Sequence, residues 1–421
     1  MSICKIKYLL LRKSYYRTFT GETMKLIKKL MPLKNAEKIV YEQLSEYLNE
    51  NEKVREVDII EALNKISAED IKAPIDLPYF NKAAMDGYAV IAEDTFGASE
   101  TNPIILNLVD RDEIFPGEAK KIFTGDKLPK NADAVVMKEF CNEFDDFVEI
   151  YRGVHPNENV SRIGEDVKKG DVILKRGEII NPYHLNMLAS LGIKKIKVYD
   201  LSFGIITTGD ELVSLDEIRD IKEDINKLEG KIINSNSYML YGLVRNLGFN
   251  AKIYDVVRDD KEKLKEAIET ALNENDALLI TGGTSVSERD ITVETVKEMG
   301  NVIVHGVNIR PGKPFGFGII NGKPVFMLSG YPVASAVQFE LFIQRFFMKR
   351  KKITLPLKRN IASELGRVDF VRVKVDGEVE PIRITGSGVI SSLIKSDGYI
   401  LIPENVEGYE KGELVDVYLL R

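Results

Sequence analysis

The sequence contains few of the residues that build disulfide frameworks and transition-metal sites. Its 421 residues include two cysteines, three histidines and no tryptophan. Two cysteines fit neither a disulfide framework nor a zinc cluster, and their low number is compatible with a reducing cytoplasm. The three histidines are scattered, which argues against a histidine-built metal site. Because 65 residues are acidic, any metal is expected to be a hard cation bound through oxygen ligands.

An excess of positive charge and a long apolar run are also missing. The formal net charge is -6 and the isoelectric point is near 5.5, which argues against a bulk cationic surface for nucleic acid or anionic lipid. No apolar run approaches the roughly 20 residues that a membrane span needs. We therefore expect a cytoplasmic protein with no nucleic-acid or membrane partner. Residues 1–23 match nothing downstream and are predicted to be a flexible N-terminal extension or an over-long start.

The remaining composition is that of an ordinary multidomain protein. Hydrophobic residues make up 44% of the chain, enough to fill several cores, and the length suggests about three domains. Residues 181–192 predict a helix with an Asn cap, a Pro in the first turn and a Gly stop. Nearer the N-terminus, helical spacing of apolar residues predicts two helices, one on Ile39, Val40, Leu44 and Leu48 and the next on Val57, Ile60 and Leu63.

From residue 201 onward, apolar runs alternate with helix-like segments. Residues 281–290, TGGTSVSERD, follow one such run and precede a helix-like segment, an order in which small residues let backbone N–H groups approach an anion. The alternation predicts a doubly wound, mostly parallel sheet, and ligands of such sheets bind at the carboxyl ends of the strands. A Gly-Gly pair that merely ends a strand remains an alternative.

A basic loop and two β-rich regions complete the pattern. Residues 307–318, VNIRPGKPFGFG, place Arg310 and Lys313 on a loop stiffened by proline and glycine. Such a loop suits a phosphate because it loses little entropy on binding, although a plain basic loop is the alternative. Residues 96–151 and the tail from residue 353 contain short apolar runs between turn residues, and each is predicted to form a β domain.

Six segments resemble the motifs of one protein family, in that family's order. They are NKAAMDGYAV (81–90), IFTGDKLPKNADAVV (122–136), SRIGEDVKKG (161–170), VNIRPGKPFGFG (307–318), LSGYPVAS (328–335) and ITGSGVISSLIKSDGYILIP (384–403). From about residue 30 the chain resembles the MoeA/gephyrin E-domain family, the molybdopterin molybdenumtransferases. It departs from the family pattern at Asp126, Asn131, Thr284, Ser287, Arg310, Ser329 and Tyr331.

The resemblance implies a multidomain α/β plus β protein. Its expected parts are a flexible extension (1–23), an elongated dimerisation domain (24–50 and 158–198), an inserted β-rich domain (51–157), a doubly wound MogA-like α/β domain that binds molybdopterin (199–349) and a C-terminal all-β domain (350–421). The resemblance also implies a homodimer. Its cleft would lie between the inserted β domain of one subunit and the α/β domain of the other.

The resemblance also implies which residues form the site. The expected catalytic residues are Asp86, Thr124, Asp166, Glu211, Asp259 and Asp290, and Asp86 and Glu211 are the first choices for Mg²⁺. The residues expected to hold the pterin phosphate and the nucleotide are Gly282, Gly283, Thr284, Ser285, Arg310, Lys313 and Gly330. Further candidates for ligand contact are Arg162, Arg367, Arg372 and Ser387, for which turn or surface roles are the alternative.

The implied reaction is the insertion of molybdate, or the nearly isosteric tungstate, into adenylylated molybdopterin (molybdopterin-AMP), with Mg²⁺-dependent release of AMP. The expected partners are a MogA/MoaB-type adenylyltransferase and acceptor apo-enzymes. Two alternatives stay open. One is an adenylyltransferase that primes molybdopterin with ATP, and the other is a scaffold that holds molybdopterin without turnover.

Overall fold

The computed structural model describes residues 30–50, 53–221, 228–282, 290–382 and 388–420. Its α-helices are α1 (Leu33–Glu50), α2 (Pro182–Ser190), α3 (Asn236–Asn246), α4 (Lys261–Glu274), α5 (Ile291–Met299), α6 (Pro332–Phe339), α7 (Arg345–Phe347) and α8 (Ser391–Lys395). A π-helical segment, Glu340–Gln344, joins α6 to α7. Short 3₁₀ turns occur at Ala92–Thr95, Lys138–Phe140 and Leu215–Glu217.

The strands of the first half of the chain are β1 (Val54–Asp58), β2 (Ile71–Lys72), β3 (Lys82–Ala83), β4 (Gly87–Val90), β5 (Ile104–Leu108), β6 (Glu118–Ile122), β7 (Ala134–Met137), β8 (Cys141–Glu143), β9 (Phe147–Ile150), β10 (Val160–Ser161), β11 (Val172–Leu174) and β12 (Lys195–Tyr199). Those of the α/β region are β13 (Ser202–Thr207), β14 (Leu212–Val213), β15 (Ile232–Ile233), β16 (Asn250–Ile253), β17 (Ala277–Thr281), β18 (Asn301–His305), β19 (Ile309–Arg310), β20 (Gly316–Ile320) and β21 (Lys323–Leu328). The tail contains β22 (Lys352–Pro356), β23 (Ile361–Ala362), β24 (Val368–Asp376), β25 (Glu378–Pro381), β26 (Gly398–Ile402), β27 (Gly408–Tyr409) and β28 (Leu414–Leu419).

One of the two helices predicted near the N-terminus is present and the other is wrong. Helix α1 buries the predicted apolar stripe, including Val40 and Leu44. In the second segment, Val57 instead lies in β1, which pairs antiparallel with β12 along its whole length, and residues 59–64 form turns. The helical spacing there is misleading because Ile60, which would face the core of a helix, is 82% exposed. The ladder with β12 satisfies the backbone and outweighs the periodicity.

The elongated part of the chain is built from strand pairs that are distant in sequence. β1 pairs with β12, β2 with β11 and β3 with β10, all antiparallel. Helix α2 confirms the predicted cap, since the Asn181 side chain accepts hydrogen bonds from the backbone N–H groups of Tyr183 and His184. Gly192 follows the helix with a φ of +72°, as a helix stop requires.

A second sheet interrupts this elongated part. Its strand order is β7-β4-β6-β5-β9-β8, and Val90, Leu106, Val136 and Val148 fill its core. The sheet begins at Gly87, whereas the sequence placed the start of the inserted domain at residue 51. The difference arises because residues 54–83 pair with residues 160–199 of the elongated part. The predicted domain boundaries otherwise remain predictions.

The α/β region contains the predicted doubly wound sheet, with strand order β16-β13-β17-β21-β20-β18. The first four strands are parallel, and β20 and β18 complete the sheet antiparallel. Alternate residues of β17 enter opposite cores: Ala277 and Leu279 face α1 and α3, while Leu278 and Ile280 face α4 and α5. Each buried leucine or isoleucine contributes about 1.5–3 kcal/mol, so both faces fix the ends of these strands.

The tail forms the predicted β domain, with strand order β19-β24-β26-β28-β22 and β25 paired to β24. The edge strand β19 comes from the α/β region and runs parallel to β24. The two domains therefore share one sheet at the basic loop. Within the ranges that the structure describes, no helix is long and apolar enough to cross a membrane.

Candidate active site

Three parallel strands bring glycine-containing turns together at their carboxyl ends. Gly282 follows β17 with a φ of +100°, and a Cβ atom added there would lie 1.9 Å from the Thr208 carbonyl oxygen after β13. A Cβ atom on Gly330, after β21, would lie 3.5 Å from the Gly282 Cα atom. Only glycine fits at Gly282, because both its φ and its surroundings exclude a side chain. A cavity of about 820 Å³ opens over these three turns.

Buried amides and hydroxyls fix the floor of this cavity. The Asn236 Nδ2 atom donates to the Gly330 carbonyl at 2.8 Å and to Thr281 Oγ1 at 3.2 Å, and Thr281 Oγ1 donates to the Ser329 carbonyl at 2.9 Å. Neither Asn236 nor Thr281 is among the site residues predicted from the sequence. The signal available was the polar Asn-Ser-Asn run between β15 and α3, at the carboxyl side of the sheet.

Two predicted acids lie near the turn after β13, and one of them lines the cavity. Glu211 lines the cavity, and a Cβ atom on Gly209 would lie 2.8 Å from each of its carboxylate oxygens. Asp259 Oδ1 accepts a hydrogen bond from Thr208 Oγ1 at 3.1 Å. Residues Thr208 and Val257 bridge as parallel neighbours, which brings the two acidic turns together. The structure therefore places Glu211 and Asp259 beside the glycine turns, as the sequence predicted for strand ends of one sheet.

Asp290 has a structural contact that the sequence did not predict. Its Oδ1 accepts from the Val293 backbone N–H at 2.9 Å and caps α5, and the residue is 4% exposed. Its Oδ2 lies 3.6 Å from His305 Nε2. The predicted catalytic role of Asp290 stays a prediction. The predicted ligand residues Gly283, Thr284 and Ser285, like the candidate Ser387, lie outside the described residues.

The two cations of the basic loop have different surroundings. Arg310 forms ion pairs with Asp369 and, at 3.8 Å, with Glu364, both of the C-terminal domain. Lys313 is exposed, and its neighbour Pro314 lines the cavity. The buried Gln338 joins this loop to the turn after β21, because it donates to the Gly312 carbonyl and accepts from the Ser329 N–H, at 2.8 and 2.7 Å.

Asp86 and Thr124 lie together on the inserted sheet. Asp86 Oδ1 accepts hydrogen bonds from both the backbone N–H and the hydroxyl of Thr124, each at 2.8 Å. Asp86 Oδ2 lies 3.8 Å from the ammonium of Lys138. The backbone N–H of Lys138 also donates to the Asp86 backbone carbonyl. The hydrogen bond from the Thr124 N–H has the largest effect on Asp86 and lowers its pKa. The Thr124 hydroxyl has the next largest effect, and Lys138 also lowers the pKa. Lys138 is not among the residues predicted from the sequence. It lies two residues after the NADAVV motif, with Met137 between them.

Asp166 lines a second cavity, of about 700 Å³, between the elongated part and the inserted sheet. Gly125, the neighbour of Thr124, lines the same cavity, so Asp166 lies near the Asp86 cluster. The lining also includes Tyr79, Phe80, Lys82 and Glu165. Arg162, the other candidate of this motif, is held in its turn by the Glu165 carboxylate, which accepts from the Arg162 backbone N–H at 2.8 Å.

The carboxylates predicted to bind Mg²⁺ lie in two separate parts of the chain. Asp86 belongs to the inserted sheet and Glu211 to the α/β domain. Among the described residues, no group of three Asp, Glu, His or Cys side chains comes close enough to hold a metal ion. Both residues carry the oxygen ligands that Mg²⁺ prefers, but one chain alone does not supply a complete ligand set in the part that the structure describes.

Arg372 of β24 is a buried cation, 7% exposed, for which the described part of the chain supplies no counter-ion. Its Nε and Nη1 atoms have no hydrogen-bond partner within the described ranges. Burial lowers the pKa of its guanidinium. An uncompensated buried charge is costly, which favours a site that an anion completes. The other tail candidate, Arg367, is paired with Asp369 and Glu364.

The chain is similar to one set of known proteins over nearly its whole length. Family profiles match residues 31–192 ("MoeA N-terminal region (domain I and II)"), 204–349 ("Probable molybdopterin binding domain") and 354–420 ("MoeA C-terminal region (domain IV)"). A molybdopterin biosynthesis protein of Methanocaldococcus jannaschii is 89% identical over 398 residues, which cover 94% of this chain and 100% of the relative.

More distant relatives agree with this match. The molybdopterin molybdenumtransferase of Staphylococcus aureus (strain COL) is 34% identical, with 86% of this chain and 90% of the relative covered. The crystal structure of the molybdopterin biosynthesis MoeA protein from Pyrococcus horikoshii OT3 has a TM-score of 0.74 and 38% identity, and covers 93% of this chain and 100% of that chain.

Proposed function

Because this chain belongs to the MoeA family of molybdopterin molybdenumtransferases, we propose that it inserts molybdate into adenylylated molybdopterin and releases AMP. The observation that carries this proposal is the cavity over the turns after β13, β17 and β21, which combines the glycine turns at Gly282 and Gly330 with the carboxylate of Glu211. A substrate with a phosphate needs the former, and a metal-assisted cleavage needs the latter.

The cavity is the proposed pterin-phosphate site. Gly282 and Gly330 lie in turns at the ends of parallel strands and line the cavity, where ligands of such sheets bind. Asn236 and Thr281 hold these turns through buried hydrogen bonds. The turns therefore lose little conformational entropy when the anion binds. Lys313 supplies the positive charge, and Glu211 and Asp259 face the phosphoanhydride that is cleaved.

Mg²⁺ is proposed to act with the carboxylates of Asp86 and Glu211. When bound, the ion offsets the charge of the two anions and polarises the phosphoryl oxygen. Asp86 is suited to this task because the two donors of Thr124 hold one oxygen and keep the carboxylate ionised. Lys138 offers a second cation near the position where the oxyanion would meet Asp86. Arg372, whose Nε and Nη1 atoms have no hydrogen-bond partner among the described residues, is a further candidate for anion contact.

We propose a homodimer in which the Asp86 cluster of one subunit faces the cavity of the other. The separation of Asp86 from Glu211 into different parts of the chain supports this arrangement, since neither part carries a complete ligand set in the described residues. Sedimentation should then give twice the chain mass of 47.5 kDa. A monomer that remains active at any concentration would contradict the shared cleft.

We also propose partners and a cellular location for this protein. A MogA/MoaB-type adenylyltransferase would supply the adenylylated substrate, and apo-enzymes that need the metal cofactor would accept the product. A cytoplasmic location is the corresponding proposal. Whether molybdate or tungstate is preferred is tested by supplying both oxyanions together and identifying the metal in the product.

The decisive test separates the proposed reaction from priming and from storage. Purified protein is incubated with adenylylated molybdopterin, molybdate and Mg²⁺, and separately with molybdopterin and Mg-ATP. We expect AMP and metal-containing cofactor only from the first mixture. Product only from the second would identify an adenylyltransferase instead, and tight binding without product in either would identify a scaffold.

A further inference from the structure

The basic loop RPGKP (residues 310–314) contains two cations, Arg310 and Lys313, whose contacts differ. Arg310 ends β19, the strand that joins the sheet of the C-terminal domain alongside β24, with Arg310 opposite Asp369. The Val368 N–H donates to the Asn308 carbonyl at 3.0 Å. This part of the loop is therefore fixed by backbone pairing between two domains before any ligand binds.

Asp369 is the buried centre of a cluster at this junction. The residue is 2% exposed, and its carboxylate receives donors from Arg310, from Ser363 Oγ at 2.9 Å and from Arg367 Nε at 3.2 Å. A carboxylate this deeply buried is stable in its charged form only with such partners. Removing Arg310 would leave Asp369 with one cation fewer in a site that solvent does not reach.

Charge balance limits what Arg310 can offer to an anion. The cluster contains the two guanidinium groups of Arg310 and Arg367 and the two carboxylates of Asp369 and Glu364. Its net charge is therefore zero, and the attraction for a phosphate is largely cancelled. The family resemblance had suggested Arg310 as a phosphate ligand, but these contacts favour a different role.

Lys313 differs from Arg310 in its charged neighbours, although both side chains are exposed. Among the described residues no carboxylate lies within 4.0 Å of its ammonium, whereas Arg310 of the same loop is paired with Asp369 and Glu364. The Lys313 carbonyl accepts from the N–H groups of Val307 and Phe315, each at 3.0 Å. The preceding Gly312 carbonyl is held by Gln338. Lys313 is thus a cation on a firmly held backbone, with no ion-pair partner in the part of the chain that the structure describes.

We propose that Arg310 is a positioning residue, which anchors the RPGKP loop to Asp369 of the C-terminal domain, and that Lys313 is the cation of this loop that contacts the substrate phosphate. This inference rests on the proposed function, since it divides roles within the same site. It also gives the C-terminal domain a task in substrate binding: to hold the loop in place through Asp369.

The test is a set of variants measured for stability and for catalysis. Stability is followed by the melting temperature, and catalysis by the KM and kcat of AMP release from adenylylated molybdopterin. The variants are Lys313→Gln, Arg310→Gln, Arg310→Lys, Asp369→Asn and the double variant Arg310→Gln/Asp369→Asn. The control is Lys358→Gln, which removes an exposed lysine of the C-terminal domain that is paired with Glu380.

We expect Lys313→Gln to raise KM at least tenfold with an unchanged melting temperature, like that of the control. Arg310→Gln should lower the melting temperature and should act mainly on kcat, and Arg310→Lys should recover most of both because one donor to Asp369 returns. The double variant should be no worse than the worse single variant, because the two residues act as one unit.

Two results would overturn the proposal. One is an Arg310→Gln variant with a KM raised as far as that of Lys313→Gln and a normal melting temperature. The other is a full additional KM increase when Arg310→Gln is placed on the Asp369→Asn background. If Asp369→Asn does not fold, the comparison of Arg310→Gln with Arg310→Lys still decides. If the wild type releases no AMP, the proposed function fails, while the melting temperatures and a binding titration with molybdopterin still test the division of roles.

Discussion

Replacing Gly282 by alanine probes the glycine turn around which the proposed site is built. The new Cβ atom would stand 1.9 Å from the Thr208 carbonyl oxygen, on a backbone with a φ of +100°. Positive φ alone costs alanine about 1 kcal/mol. Contact at 1.9 Å must also separate the ends of β13 and β17, where the Thr208 N–H donates to the Thr281 carbonyl at 2.9 Å. Losing that buried bond adds about 1–3 kcal/mol.

A matched control isolates the contact from the backbone strain. Gly322 has a φ of +77° and no atom within 4 Å of an added Cβ, and it lies in the turn between β20 and β21. Gly322→Ala should therefore cost only about 1 kcal/mol, whereas Gly282→Ala should cost about 2–4 kcal/mol by the sum of the two terms.

The assay combines urea unfolding with AMP release. Gly282→Ala should lose at least roughly a hundredfold in activity, because an error of about 1 Å in a positioned anion is enough for such a loss. Gly322→Ala should keep wild-type activity. Equal stability losses in the two variants, together with normal activity of Gly282→Ala, would refute the assignment of the strand-end turns as the phosphate site.

Three further predictions concern single contacts. Thr124→Val removes one of the two donors to Asp86 and should lower AMP release about tenfold, equivalent to about 1.4 kcal/mol, whereas Thr124→Ser should retain activity; equal rates would exclude a role for the hydroxyl. Asp276 is partly buried, which opposes ionisation, but Lys53 at 2.7 Å and Ser202 outweigh this and lower its pKa; the pair should therefore stabilise the fold above the unfolded-state pKa of about 3.9 and lose this contribution as pH falls through the lower folded-state pKa. Urea unfolding of wild type and Asp276→Asn should thus differ by about 1–3 kcal/mol at pH 7 and converge near pH 2, and a difference independent of pH would contradict the assignment. Glu340→Gln should lower the free energy of unfolding by about 3 kcal/mol, because it leaves Arg350, its buried partner at 2.6 Å, uncompensated. The double variant Glu340→Leu/Arg350→Met should be less destabilised than Glu340→Gln. A larger loss of stability in the double variant would show that the pair itself is net stabilising.

The parts of the fold that were predictable from sequence are those set by local chemistry. The cap at Asn181, the stripe of α1 and the alternating strands of the α/β sheet each follow from spacing that burial on one or two faces requires. The error at β1 has a non-local cause, since its partner β12 is more than a hundred residues away. Period alone does not distinguish a short strand from a turn of helix when the ladder partner is unknown.

The proximity of the candidate residues was predictable where a motif ends a strand and not where side chains meet across domains. Glu211, Asp259, Gly282 and Gly330 follow strands of one sheet, so topology alone brings them to one edge. By contrast, the pairing of Arg310 with Asp369 and the cross-link through Gln338 join segments whose proximity depends on the packing of the β tail. The same holds for Lys138, which reaches Asp86 through the register of β4 and β7.

The central claim is that one site is made from Asp86 and Glu211 of two subunits and releases AMP when molybdate is supplied. The most direct measurement mixes Asp86→Asn and Glu211→Gln, each inactive alone, under conditions in which subunits exchange. Half of the dimers are then mixed, and each mixed dimer has one intact cleft, so about a quarter of wild-type AMP release should return. No recovery in dimers shown to have exchanged would contradict the shared site, as would full activity in either single variant.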